Sequence, residues 1–199
     1  MIFRYTRRET DYLAARDPAL SAWIKRIGYV EREILPDPFE ALVYAVSGQQ
    51  VSSKAQATVW ARLCARGLTR PQAVRAASEA ELAALGLGPK KARWVRQAAA
   101  RAHALEGLEA LDDAQAIQTL VSFEGVGRWT AEMLLIFSLN RMNVLSRGDF
   151  GIRRGLTILH GEDACAQFAR WKELYTPYGS VASLYLWEIA RAGDANVQI

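Results

Sequence analysis

The sequence predicts an all-α fold, on three observations. Alanine, leucine and arginine dominate while β-branched runs are rare, which favours helix over sheet. Apolar residues recur at the three- and four-residue spacing of a helix face. Helix-start signals are also frequent along the chain. Taken in order, Asp37-Pro38-Phe39-Glu40 combines an N-cap, a first-turn proline and a capping-box acid, and opens a helix through Ala41 to Val46 that Gly48 ends. After Gln49-Gln50-Val51, Ser53 and Gln56 read as a second capping box, starting a helix that carries Val59, Trp60 and Leu63. A short polar corner is left between the two. Ser78 and Glu81 mark another start, and Gly86-Leu87-Gly88-Pro89 breaks the chain before a basic helix expected over 90–105. Further helices are expected over 113–123, 128–139, 151–159, 165–175 and 180–191.

At 199 residues the chain can bury a substantial core, as one unit or as two small lobes. The 51% hydrophobic content with only 6 prolines excludes a disordered chain, which could not bury enough apolar surface to offset its ordering entropy. Lys+Arg 25 against Asp+Glu 21 gives +4, compatible with a polyanionic partner without identifying one. Distribution says more. Lys90, Lys91, Arg93, Arg96 and Arg101 crowd one stretch with no acid among them, and Arg147, Arg153 and Arg154 form a second cluster. Each reads either as a solvated helix face or as a phosphate-binding patch. Cys64 and Cys165 are too few and too distant for a zinc site or an iron-sulfur cluster, and are expected to be inert core thiols. No run approaches the roughly 20 apolar residues that span a bilayer, and the N-terminus lacks a signal-peptide core. An intracellular setting without membrane partners is the expectation.

The sharpest feature is Leu120-Val121-Ser122-Phe123-Glu124-Gly125-Val126-Gly127-Arg128-Trp129-Thr130-Ala131, where an apolar helix meets a Gly-Val-Gly corner and a new helix begins. Two glycines permit positive φ and close approach of the main chain, while the N–H groups and positive dipole end of the next helix point outward. An anion such as phosphate suits that geometry. A simple turn or helix C-cap suits it too.

In its full length the segment resembles the hairpin of the helix-hairpin-helix (HhH-GPD) base-excision DNA glycosylases. Their shared pattern is a leucine, a Gly-Val/Ile-Gly hairpin, Thr-Ala, and an aspartate downstream. Here that aspartate is Asp149, 22 residues after Gly127, in Arg147-Gly148-Asp149-Phe150-Gly151. As an isolated residue Asp149 also reads as a plain N-cap, and the two roles are compatible. The corner Ser47-Gly48-Gln49-Gln50-Val51-Ser52 is similar to the family's glutamine corner, and Leu85 to Ala92 to its second glycine-rich turn. The resemblance runs from about Phe39 to Trp187, and within the family it is nearest the 3-methyladenine DNA glycosylase II group.

The resemblance implies two helical lobes, 38–141 and 1–37 plus 142–199, with the hairpin at the cleft between them. It also implies roles for particular residues: Asp149 as the catalytic carboxylate, and Trp129, Tyr178 and Met133 around the base.

 Gln50, Gly125, Val126, Gly127, Arg128, Thr130, Lys90, Lys91 and Arg93 are the implied DNA contacts, with Gln50 as a wedge that fills the space of a flipped nucleotide. Taken by themselves, Gln50 is also a plain surface residue and Trp129 also a core anchor. Tyr185 and Trp187 are read as core. No cofactor is expected for the chemistry. A structural sodium or potassium ion on the carbonyls of Val121, Phe123 and Val126 is implied at the hairpin.

Bifunctional relatives carry a nucleophilic lysine where this chain has Trp129, so the implied reaction is plain hydrolysis of the N-glycosidic bond. The expected substrates are alkylated bases of the 3-methyladenine and 7-methylguanine type in double-stranded DNA, bound by a monomer during base excision repair. A tryptophan face attracts such electron-poor, often cationic bases. The alternatives are a glycosylase for other damaged or mismatched bases, or a non-catalytic helix-hairpin-helix DNA-binding protein. The presence of Asp149 speaks against the second.

Overall fold

A computed structural model describes residues 1–195, with the side chains of residues 194 and 195 left aside. The chain is helical throughout: α1 (Arg7–Arg16), α2 (Pro18–Ile27), α3 (Pro38–Gly48), α4 (Ser53–Ala65), α5 (Pro71–Ala76), α6 (Glu79–Leu82), α7 (Gly88–Ala100), α8 (Asp113–Val121), α9 (Arg128–Phe137), α10 (Phe150–His160), α11 (Phe168–Tyr175) and α12 (Gly179–Ala195). Among the described residues the only β pairing is an isolated bridge between Ile2 and Glu33.

Two compact units divide the chain: Met1 with Ile34–Leu139, and Ile2–Glu33 with Asn140–Ile199. The divisions fall a few residues before the expected 38 and 142. Backbone pairing accounts for the first, since Ile34 N–H donates to the Met1 carbonyl and Leu35 N–H to that of Phe137.

In the first unit α3 packs on α4, α7 and α9, burying Phe39, Leu42, Val43 and Val46. Its start follows the sequence signal: Asp37 accepts from Glu40 N–H and Pro38 occupies the first turn. The start of α4 departs from it. Ser52, not Ser53, is the N-cap, accepting from Ala55 N–H, while Gln56 turns back to donate to the Tyr44 carbonyl. Ser78 and Glu81 form the expected capping box. The basic helix is shorter than expected, α7 giving way to a 3-10 turn over Ala102–Leu105. Helices α8 and α9 pack together as a hairpin around buried Leu120, Leu134 and Leu135.

The second unit is built on α10 and α12, which approach closely because Gly155 has no side chain. A Cβ there would run into the Leu186 carbonyl. Helices α1 and α2 belong to this unit and went unpredicted, although each carries a local signal. Thr6 and Glu9 form a capping box, and Asp17-Pro18 caps α2 through the N–H groups of Ala19 and Leu20. Neither cysteine is a core thiol in the expected sense: Cys64 is exposed and Cys165 half-buried.

Candidate active site

The hairpin between α8 and α9 is a tight turn with one strained position. Gly125 has φ +83, in the region that favours glycine, and a Cβ there would strike the ring of Trp94. Gly127 is different, with φ −85 and open space where a Cβ would stand. Both glycines permit positive φ, and of the two Gly125 takes it. Nothing inside the protein demands glycine at 127, so what its bareness provides is approach from outside. Gly127 is also the N-cap of α9, with no side chain capping the first-turn N–H groups. Those donors and the helix dipole suit an anion.

Around this turn the expected DNA contacts separate. Arg128 is exposed and pairs with Glu132 one turn on at 3.0 Å. Val126 and Thr130 are buried, so each can offer an outside ligand its main chain but little side chain. Lys90 lies over the Trp94 ring, 4.9 Å from its centroid. Arg93 pairs with Glu124 of the hairpin at 3.0 Å, an acid that a scan along α7 alone does not find. Lys91 departs furthest from its expected phosphate contact. Its Nζ donates to the carbonyls of Ser47 and Gln49, committing two of its three donors within the protein. Burial lowers its pKa from the ordinary lysine value.

The polar corner after α3 lies beside the hairpin, since the Gln49 side chain donates to the Gly125 carbonyl at 2.8 Å. Gln50 is exposed, with φ 55, a conformation that residues with a Cβ seldom adopt. Strain of this kind persists only where surrounding contacts impose it. On α9, Trp129 is 44% exposed and Met133, one turn later on the same face, is half-buried. Too much of the indole is exposed for a simple core anchor.

The carbonyls of Val121 and Val126 accept no hydrogen bond among the described residues, and that of Phe123 accepts one from Val126 N–H. Oxygen donors left this way fit a hard cation.

In the second unit Asp149 is the N-cap of α10 and is only 7% exposed. Its Oδ1 accepts from Ile152 N–H and from Trp187 Nε1, both at 2.8 Å. The capping role therefore holds, and the carboxylate is fixed from two sides. Trp187 is half-buried and bound to Asp149, which corrects its reading as core. Gly151 makes room for it: a Cβ there would come within 2.6 Å of the Trp187 ring. Beside Asp149, Phe150 is 73% exposed and was not anticipated. Tyr178 is half-buried with its ring edge-on to Tyr12 at 5.0 Å.

Residues 43–176 match the family model of the HhH-GPD superfamily base excision DNA repair proteins. The chain belongs to this family. DNA-3-methyladenine glycosylase 1 of Schizosaccharomyces pombe is 31% identical over 172 residues, which cover 79% of this chain and 75% of the relative. A solved DNA-3-methyladenine glycosidase from Bacillus halodurans superposes with a TM-score of 0.84 at 30% identity, over 94% of this chain and 91% of its own. The S. pombe 3-methyladenine DNA glycosylase in complex with abasic DNA superposes at 0.80 with 28% identity, over 92% and 96%. For this HhH-GPD protein the all-α expectation holds, as does the family read from the hairpin. What sequence reasoning missed at the site were the partners: Trp187 for Asp149, and Ser47 and Gln49 for Lys91. Each pair is 38 or more residues apart, with no local pattern to announce it.

Proposed function

We propose that this HhH-GPD protein is a monofunctional DNA glycosylase that hydrolyses the N-glycosidic bond of alkylated bases of the 3-methyladenine and 7-methylguanine type. The observation that carries the reading is Asp149, a nearly buried carboxylate fixed by Ile152 N–H and Trp187 Nε1. The names of the similar proteins support the choice of lesion.

Each group has a task in this reading. The bare main chain at Gly127 and the N-terminus of α9 take a phosphate; the carbonyls of Val121, Phe123 and Val126 would hold a sodium or potassium ion, which would add positive charge there. A base in duplex DNA is out of reach, so the nucleotide is flipped out and Gln50 fills the gap. Trp129 offers its exposed face to the cationic base, with Met133 and Tyr178 as further base contacts. The negative charge of Asp149 opposes the positive charge that develops on the sugar as the bond breaks, and its oxygen can orient or deprotonate the attacking water. Alkylation at a ring nitrogen makes the base a good leaving group without a general acid. Trp129 stands where a Schiff-base lysine would be needed for strand cleavage, so the product is an intact abasic site.

Single-turnover excision of 7-methylguanine and 3-methyladenine by the parent and Asp149→Asn tests the reading. The swap keeps the size and an oxygen able to cap α10 while removing the charge. Loss of one transition-state stabiliser, about 3 to 4 kcal/mol, slows excision roughly a hundred- to a thousandfold. Affinity for lesion DNA stays level or rises, because an acid has left a surface that faces phosphates. Near-parental excision by the variant would reject Asp149 as the catalytic group. A parent that cuts the strand without alkali, leaving an adduct trapped by borohydride, would reject the monofunctional assignment.

A further inference from the structure

The C-terminus of α3 leads into a corner whose geometry is set by one side chain from another helix. Lys91 of α7 donates to the Ser47 carbonyl at 3.0 Å and to the Gln49 carbonyl at 2.6 Å. These carbonyls flank the residue that ends the helix, where main-chain acceptors lack partners within it. Among the described residues no carboxylate pairs with the ammonium, so its charge is answered by carbonyl dipoles alone. Water could satisfy a plain helix end. A half-buried lysine costs desolvation and does something water does not, which is to fix two carbonyls relative to one point. The next residue, Gln50, is the exposed one with φ 55. From the same corner, Gln49 Nε2 reaches the Gly125 carbonyl at 2.8 Å.

We infer that Lys91 is a positioning residue: by clamping Ser47 and Gln49 it holds Gln50 in its left-handed conformation and, through Gln49, ties that corner to the hairpin. Phosphate binding at the hairpin and insertion of Gln50 are thereby made one rigid event. The inference rests on Gln50 being the wedge proposed above.

The test uses the whole chain and a duplex carrying one 7-methylguanine beside 2-aminopurine, whose fluorescence rises on unstacking. Lys91→Met keeps the length and loses the donors; Lys91→Arg keeps donors. Lys91→Met is expected to lower the fluorescence rise and to slow single-turnover excision between about ten- and a hundredfold, the scale of small misplacements. Lys91→Arg retains most of both. The salt slope for undamaged duplex is unchanged in Lys91→Met, and adding Lys91→Met to Gln50→Ala slows excision no further. Gln49→Met, which cuts the tie from the other side, lowers the fluorescence rise as well and serves if Lys91→Met does not fold. A salt slope reduced by about one, with fluorescence and excision intact, would make Lys91 a phosphate contact and overturn the inference. So would effects of Lys91→Met and Gln50→Ala that add in full. The wedge reading fails separately, if Gln50→Ala unstacks and excises like the parent. Impairment of Gln50→Ala beside a normal Lys91→Met rejects only the role of Lys91.

Discussion

Asp149 was legible in the sequence because its neighbourhood is local: Gly148 before it, Gly151 two residues after, and a hairpin 22 residues upstream. Its cap bond to Ile152 N–H is local too. The second bond, from Trp187, is not, and an indole 38 residues away on α12 reads as core until its N–H is located. That bond has a measurable consequence. Trp187→Phe keeps an aromatic ring against Gly151 and removes the indole donor, while the cap bond from Ile152 N–H to Asp149 stays. Hydrogen bonds to charged groups are worth about 1.5 to 3 kcal/mol, and losing the lower figure from the transition state slows excision about tenfold. Single-turnover rates on 7-methylguanine duplex, compared at matched thermal stability, check this. An unchanged rate would show that the carboxylate is placed without the Trp187 bond.

Helix starts were better read than anything else because an N-cap is written in four consecutive residues, as at Asp37 to Glu40 and Ser78 to Glu81. Where two adjacent serines competed, the reading slipped by one, and Ser52 caps α4. Helix ends carried less signal: α9 stops at Phe137 and α8 at Val121, two residues short of expectation in each case. The hairpin shows what sequence cannot separate, since Gly125 and Gly127 look equivalent in Gly-Val-Gly and serve different needs. Gly125→Ala must adopt φ +83 and push against Trp94, so it lowers the melting temperature. A strained φ alone is worth about 1 to 3 kcal/mol, and the clash adds to it. Gly127→Ala meets neither obstacle. It is expected to melt within a degree or two of the parent, as surface substitutions do within about 0.5 kcal/mol, while binding undamaged duplex more weakly. Calorimetry and a binding titration on both variants separate the two roles. Equal loss of stability in both would mean that Gly127, too, is an internal requirement.

At the scale of the molecule, the hardest thing to read was which distant segments share a unit. The N-terminal residues through Glu33 join those from Asn140 onward, across more than a hundred intervening positions. The join is made by groups no pattern links. Asp17, the buried cap of α2, accepts from the Tyr175 hydroxyl at 2.7 Å and lies 3.0 Å from His160 Nε2, whose ring stacks on Trp171. Burial lowers the His160 pKa from 6.5, outweighing the attraction of Asp17, and nearby Arg170 lowers it further. The unfolded chain thus takes up its proton at a higher pH than the folded one. This histidine costs no stability above about pH 6.5; as pH falls below that, stability declines until the folded pKa is passed and then levels. His160→Gln stays neutral throughout and keeps an amide near Asp17. Between about pH 7.5 and 5.5 the parent's melting temperature should therefore fall more steeply than the variant's, the carboxylates contributing alike to both. A parent that falls less steeply than the variant would mean that Asp17 holds the proton on His160 in the folded state, so that the contact joining the two ends of the chain is an ion pair and not a neutral hydrogen bond.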